Sequence, residues 1–310
     1  MKVLITGGTG FVGMHLSQEL LRQGHEVLVI SRSPGRPRQS PAGVELVTGD
    51  PTQPGAWQER VAECDGVINL AGASIFTYWT GMVKQIIYDS RILTTRRLVE
   101  ALAPRSGRRT VLINASAVGY YGPRDNDLLV EEDGLPGSDF LARLAQDWEA
   151  EARRAADYGV RVVLCRFGIV LGKQGGALAK MLPAFRKWLG SPLGSGKQWF
   201  PWIHEQDLAN IVLFALRHDH LEGPINCVAP YSVRNRELTE TLARTLNRSV
   251  VLPPVPGLLL RALLGEFGSV LLTGQRVFPR RLLSEGFQFS YPTLREALAD
   301  LIPGEPGAHG

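Results

Sequence analysis

Over its first two thirds the chain alternates two kinds of stretch. Short runs of continuous apolar residues read "KVLIT", "EVLVIS", "VELVTG", "GVINLAG", "TVLINAS" and "RVVLCRFG". Between them lie longer stretches whose apolar positions recur with a helical period: "MHLSQELLRQG", "GAWQERVAEC", "MVKQIIYDSRILTTRRLVEALA" and "SDFLARLAQDWEAEARRAADYG". Apolar runs without alternation predict strands covered on both faces, and strand–helix alternation predicts βαβ units on a parallel sheet. The pattern changes from Gly172 to Pro201, where proline and glycine are frequent. Beyond it, "QDLANIVLFALRH" and "NRELTETLARTLN" predict two short helices flanking a strand, "PINCVAP". A helical tail runs from Val250 to near Ile302. The expectation is an α/β fold with a doubly wound parallel sheet over residues 1–170. A smaller C-terminal substrate lobe covers 171–302, with chain crossings between the two, and 303–310 is a frayed tail.

The first strand runs into "TGGTGFVG". Gly7, Gly10 and Gly13 follow a strand and open a helix, the arrangement of a Rossmann dinucleotide site. Gly7 and Gly10 allow a tight turn and close approach to a pyrophosphate, and Gly13 lets the helix pack closely. Thr9, Phe11 and Val12 complete the loop. The helix N-terminus offers unpaired N–H groups and a positive dipole end to the phosphates. The second strand ends at Ser31 and Arg32, where NAD binders carry an acidic residue for the ribose 2′-hydroxyl. A guanidinium there pairs with a 2′-phosphate, so the expected cofactor is NADP(H). Asp50, in "TGDP", either accepts from the adenine amino group or opens a turn. Ala71 and Gly72, ending "INLAG", leave room for cofactor atoms against the backbone.

Composition adds mostly exclusions. The 310 residues are 44% hydrophobic and 21% charged with a net charge of +4, and no block of like charge suggests a nucleic-acid partner. The densest arginines are Arg32, Arg36 and Arg38. Cys64, Cys165 and Cys227 lack the spacing of a metal site and read as core residues of a reducing compartment. No leader pattern precedes the first strand, and the greasiest segment, Val250 to Gly265, is interrupted by three prolines and Arg261. The expected setting is cytoplasmic, without membrane or nucleic acid, with a small-molecule substrate and room for a homodimer. The lysines of "GKQGGALAKMLPAFRK" suit an anionic substrate; a solvated basic face is the plainer reading.

Several motifs together resemble the extended short-chain dehydrogenase/reductase superfamily. They are "TGGTGFVG", "NLAG", "RFGIVLG" and "WIHEQDLA", in order and spacing. "SAVGYYG", "DFLARLAQDWE" and the tail "LLTGQRVFPRRLLSEGF" narrow the resemblance to its atypical epimerase-family proteins, over nearly the whole chain. The resemblance implies NADP(H) binding through Ser31 and Arg32, contacts from Leu70 and Ala71, and a role for Arg91 where relatives carry asparagine.

The same resemblance exposes a gap. Ordinary members place Tyr-x-x-x-Lys on one helix face to pass a proton. This chain has Phe140 and Leu144 there. Aligning "SAVGYYG" on its final Tyr-Gly puts Ala117 at the usual hydroxyl position; Ser116 fits only with an insertion before Tyr121. Tyr120 and Tyr121 are candidates for a relocated acid, or packing residues. His204 and Asp207 read as helix caps or braces. The preferred reading is an oxidoreductase or epimerase with an unusual proton donor. The alternative is a non-catalytic NADP(H)-binding regulator or scaffold.

Overall fold

The computed structural model describes residues 1–32, 42–105, 109–124, 127–132 and 134–303. Arg36, Arg38 and residues 304–310 of the tail lie outside them. Seven parallel strands form the central sheet: β1 (Lys2–Thr6), β2 (Glu26–Ser31), β3 (Glu45–Thr48), β4 (Gly66–Asn69), β5 (Val111–Ala117), β7 (Arg161–Phe167) and β11 (Gly223–Cys227). Among the described residues there are also three two-stranded pairs. They are β6 (Leu128–Leu129) with β13 (Arg276–Val277), β8 (Ile169–Leu171) with β10 (Trp202–His204), and β9 (Trp199–Phe200) with β12 (Val233–Arg234).

The strand order in the central sheet is β11-β7-β5-β4-β1-β2-β3. The order reverses between β1 and β4, and such switch points form the ligand crevice beyond the strands' C-terminal ends. This is the doubly wound α/β fold expected from the alternation. The last strand, β11, enters the sheet from far down the chain and lies beside β7 in parallel register, Ile225 opposite Cys165.

Each face buries its own core. On one side α1 (Phe11–Arg22) and α6 (Glu205–Arg217) press Leu16, Leu20, Leu208, Ile211 and Val212 onto Val3, Ile5, Ile113 and Val163. On the other, α2 (Trp57–Val61), α3 (Gly81–Leu102) and α4 (Phe140–Arg153) cover Leu4, Val67, Leu112 and Leu164 with Trp57, Leu98, Leu102 and Ala152. Strands buried on both faces explain why their sequences do not alternate.

The smaller lobe has a separate core around Trp202, built from α5 (Gly176–Arg186), α7 (Asn235–Thr245) and α11 (Leu294–Leu301). Between α7 and α11 lie α8 (Gly257–Leu264), α9 (Glu266–Val270) and α10 (Arg280–Ser284). Among the described residues no helix is long and apolar enough to cross a membrane. Cys64, Cys165 and Cys227 are buried free thiols.

Candidate cofactor and substrate site

The glycine loop is built as its spacing requires. Gly7 has φ +72°, and a Cβ there would stand 2.7 Å from the Leu70 carbonyl carbon, so the turn rests on the end of β4. A Cβ on Gly13 would fall on the Gly7 carbonyl and the Gly8 backbone, so the first turn of α1 packs on the loop. Gly10 differs: it is exposed, and a Cβ would meet only the Gly7 oxygen, at 3.2 Å. Its Cα faces open space at the N-terminus of α1. That terminus has no side-chain cap and no acidic residue in its first turn. Unpaired N–H groups, a positive dipole end and an open glycine face fit a pyrophosphate.

The ends of β2 and β3 place Ser31, Arg32 and Asp50 together. Thr52 donates to Asp50 Oδ1 from its N–H (3.0 Å) and hydroxyl (2.7 Å). Burial works to raise the Asp50 pKa, but these donors and the nearby Arg32 charge bring it below the usual value. These bonds form the turn that the sequence allows at Asp50. Arg32 is exposed beside it.

Leu70, Ala71 and Gly72 leave β4 along the crevice floor, with Ala71 buried. Arg91 lies beneath them. A Cβ on Gly72 would stand 2.8 Å from the Arg91 Cζ. Its Nη1 donates to the carbonyls of Ala73 (3.1 Å) and Ile87 (3.0 Å), and the guanidinium faces Trp148 at 5.3 Å. Burial pulls its pKa down to about 10, with no carboxylate among the described residues to oppose it. Arg91 is a half-buried, unneutralised cation against the backbone expected to carry the cofactor.

A polar network below the crevice was not read from the sequence. Thr6 Oγ1 donates to Asn69 Oδ1 (2.6 Å), and Asn69 Nδ2 donates to Asn114 Oδ1 (2.7 Å) and Thr95 Oγ1 (2.8 Å). Trp148 Nε1 also donates to Thr95 Oγ1, at 2.8 Å. The network ties β1, β4, β5, α3 and α4 together where the ligand floor must be rigid. Matching polar residues at strand ends were the available signal.

Two of the expected catalytic residues, Ser116 and Tyr121, require correction; Tyr120 is half-buried. The register sets Ser116, Arg166 and Asn226 side by side across β5, β7 and β11. Ser116 Oγ donates to Glu149 Oε1 at 2.8 Å and is buried, while Ala117 is the exposed residue at the end of β5. Glu149, wholly buried on α4, also receives Arg166 Nε (2.7 Å) and Nη2 (2.9 Å) and Arg153 Nη2 (2.9 Å). Burial works to lower the Arg166 pKa, but its carboxylate partner raises it above the ordinary value. Tyr121 is likewise buried. Its hydroxyl donates to Asn226 Oδ1 (2.7 Å) and accepts from Arg166 Nη1 (3.0 Å), and burial raises its pKa. The Tyr120 ring lies 3.6 Å from the Arg166 guanidinium, packed on the cluster of Val118, Leu129, Val228 and Val277. Ser116 and Tyr121 are held in a structural network, so neither hydroxyl is available at the crevice.

A cavity of about 190 Å³ opens beside α4 instead. Trp79, Gly119, Asp139, Phe140 and Leu141 line it together with Glu266, Val270, Thr273 and Gln275 from a distant stretch. Leu144, one turn beyond Phe140, is buried with Trp148. The lysines expected to face a substrate do not line this cavity: Lys173 pairs with Asp300, and Lys180 lies over Phe76.

The model of the NAD dependent epimerase/dehydratase family matches residues 3–227. The chain belongs to that family. A domain of unknown function (DUF1731) matches residues 255–301, the helical tail. An epimerase family protein, the SDR39U1 homolog of Arabidopsis thaliana described as chloroplastic, is 41% identical over 304 residues, 97% of this chain and 87% of the relative. YfhF of Bacillus subtilis, also an epimerase family protein, is 36% identical over 302 residues, 97% of this chain and 98% of the relative. The crystal structure of human SDR39U1 (isoform 2) with NADPH superposes with a TM-score of 0.85 at 37% identity, covering 97% of this chain and 99% of that one.

This epimerase-family chain also uses His204 structurally. His204 Nδ1 accepts from the Gln206 N–H (3.0 Å), capping α6, and its ring stacks on Tyr291 at 3.9 Å. Asp207, fully buried, accepts from the N–H groups of Ser290 (2.7 Å) and Tyr291 (2.9 Å). Burial drives the His204 pKa from 6.5 to about 4, against the pull of Asp300. The unfolded chain therefore binds the extra proton between those pH values, and stability falls as pH drops through that window. The loss is at most about 3 kcal/mol. His204→Asn keeps a capping side chain, so its urea midpoint should fall less than wild type between pH 7 and 4.5. Equal losses would exclude His204 as the cause.

Proposed function

We propose that this protein is an NADP(H)-dependent oxidoreductase or epimerase acting on a small molecule bound in the cavity beside Phe140. The observation that carries it is the nucleotide end: an open Gly10 face at an uncapped helix terminus, next to Arg32 rather than an acidic residue. The NADPH bound by the human relative supports the choice of cofactor. Gly7, Gly10 and the first N–H groups of α1 would hold the pyrophosphate, Ser31 and Arg32 the 2′-phosphate, and Leu70 to Gly72 the floor. The nicotinamide would supply hydride chemistry. The chain's own part is to hold the substrate against Phe140 and Leu141 and exclude water with Trp79 and Val270. The Tyr-x-x-x-Lys pair of ordinary members is replaced by Phe140 and Leu144.

Titration with both cofactors tests the nucleotide end. NADPH binds about 10- to 100-fold tighter than NADH, the worth of one charge-assisted contact. Arg32→Ala removes most of that preference; equal wild-type affinities would refute it. NADPH oxidation against a panel of carbonyl compounds tests the chemistry. The sequestered Ser116 and Tyr121 favour a second reading, an NADP(H)-binding regulator, which predicts tight binding with no turnover on any of them.

A further inference from the structure

We infer that Lys84 is the proton donor of this site, working from beside the ring that replaces the usual tyrosine. The inference rests on the enzymatic reading above. Lys84 stands in the first turn of α3, after the cap formed by Thr80. Its Nζ forms an ion pair with Glu266 and lies 5.1 Å from the centroid of the Phe140 ring and 6.0 Å from that of Trp79. Glu266, Phe140 and Trp79 all line the cavity. The ammonium thus stands behind the lining, outside the cavity itself, in contact with three of the residues that line it.

The alternatives on the cavity are poorer donors. Its titratable lining residues are Asp139 and Glu266, which as carboxylates accept and do not donate. Asp139 already accepts the Ala142 N–H as the cap of α4. Tyr121 and Ser116 are committed to Arg166, Asn226 and Glu149. Lys84 brings three N–H donors on a flexible four-carbon stem, enough to turn from Glu266 to an oxygen in the cavity. A plain surface ion pair would explain the Glu266 contact, but not the placement of the ammonium over two aromatic faces that wall the cavity.

The step balances in the direction of reduction. Hydride from NADPH forms a bond to the carbonyl carbon, the C=O π pair moves onto oxygen, and an Nζ–H proton completes the hydroxyl. The products are an alcohol, NADP+ and a neutral amine. The amine regains its proton from water, which reaches it because the side chain is 29% exposed.

The test uses the full-length protein with lysines carrying 13C-methyl groups, and Lys84→Met to assign the Lys84 signal. Cofactor saturation is established separately by fluorescence titration. The Lys84 signal moves when NADPH binds and moves again when NADP+ replaces it, more than the signals of the other lysines. Saturation with both cofactors and an unmoved Lys84 signal would overturn the inference while leaving the cofactor reading intact. Failure to bind either cofactor would overturn both. On a carbonyl compound that wild type reduces, Lys84→Met lowers kcat about 100-fold or more with little change in KM, and adding Phe140→Tyr recovers part of the loss. Unchanged kcat in Lys84→Met removes the role from Lys84 while the enzyme stands.

Discussion

Replacing Glu149 with alanine costs the fold about 3–5 kcal/mol, the usual result of leaving a buried charge without its partner. Arg166 is almost fully buried, and its Nε and Nη2 both bond to that carboxylate. The same oxygens accept from Ser116 and from the half-exposed Arg153, so one substitution orphans buried donors on β5 and β7. Ser116→Ala, which removes one neutral donor, costs about 1 kcal/mol. Glu100→Gln, which breaks an exposed pair with Arg97, costs well under 1 kcal/mol. Urea denaturation of the three variants gives this ranking. A double change, Glu149→Leu with Arg166→Met, recovers most of the loss because it removes both charges together. If Glu149→Ala unfolds no more easily than Glu100→Gln, the network contributes nothing to stability.

Gly10→Val abolishes NADPH binding, at least a hundredfold in affinity, while the thermal midpoint of the free protein stays near wild type. The side chain points into the open cradle, where its nearest protein atom is the Gly7 oxygen at 3.2 Å. It occupies the space meant for phosphate without invading the core. Gly13→Val behaves differently, since its Cβ collides with the backbone of Gly7 and Gly8. That variant loses stability and binding together. Calorimetry beside a fluorescence titration separates the two cases. Normal NADPH binding by Gly10→Val would place the phosphates elsewhere.

These contrasts show which parts of the molecule can be read along the chain. The glycine loop was legible because its chemistry is backbone geometry within seven consecutive residues, Gly7 to Gly13. The sheet was legible because strands buried on both faces show as unbroken apolar runs. Ser116 was misplaced although the strand carried the clue: neighbours in a strand point to opposite faces, and it is Ala117 that reaches the exposed end. Glu149 was missed because its partners sit on β5 and β7, and no spacing along α4 announces them. The cavity was missed for a similar reason. Phe140 was in view, but part of the lining comes from Glu266 to Gln275, which reads as an ordinary helical tail. Helix α5 was hidden by Pro183 within it and the glycines before it, yet its Leu178, Leu182 and Phe185 are buried.

The position of β11 bears on how the chain is made. β7 ends at Phe167 and its outer neighbour begins at Gly223, so 55 residues must be synthesised before that edge can be closed. At roughly 5–20 residues per second the wait is about 3–11 s. Throughout it the apolar strand "RVVLCRF" offers a row of free N–H and C=O groups, the kind of edge that recruits strands from other chains. The interval between Phe167 and Gly223 is thus a stretch of translation in which the nascent chain carries an uncovered sheet edge.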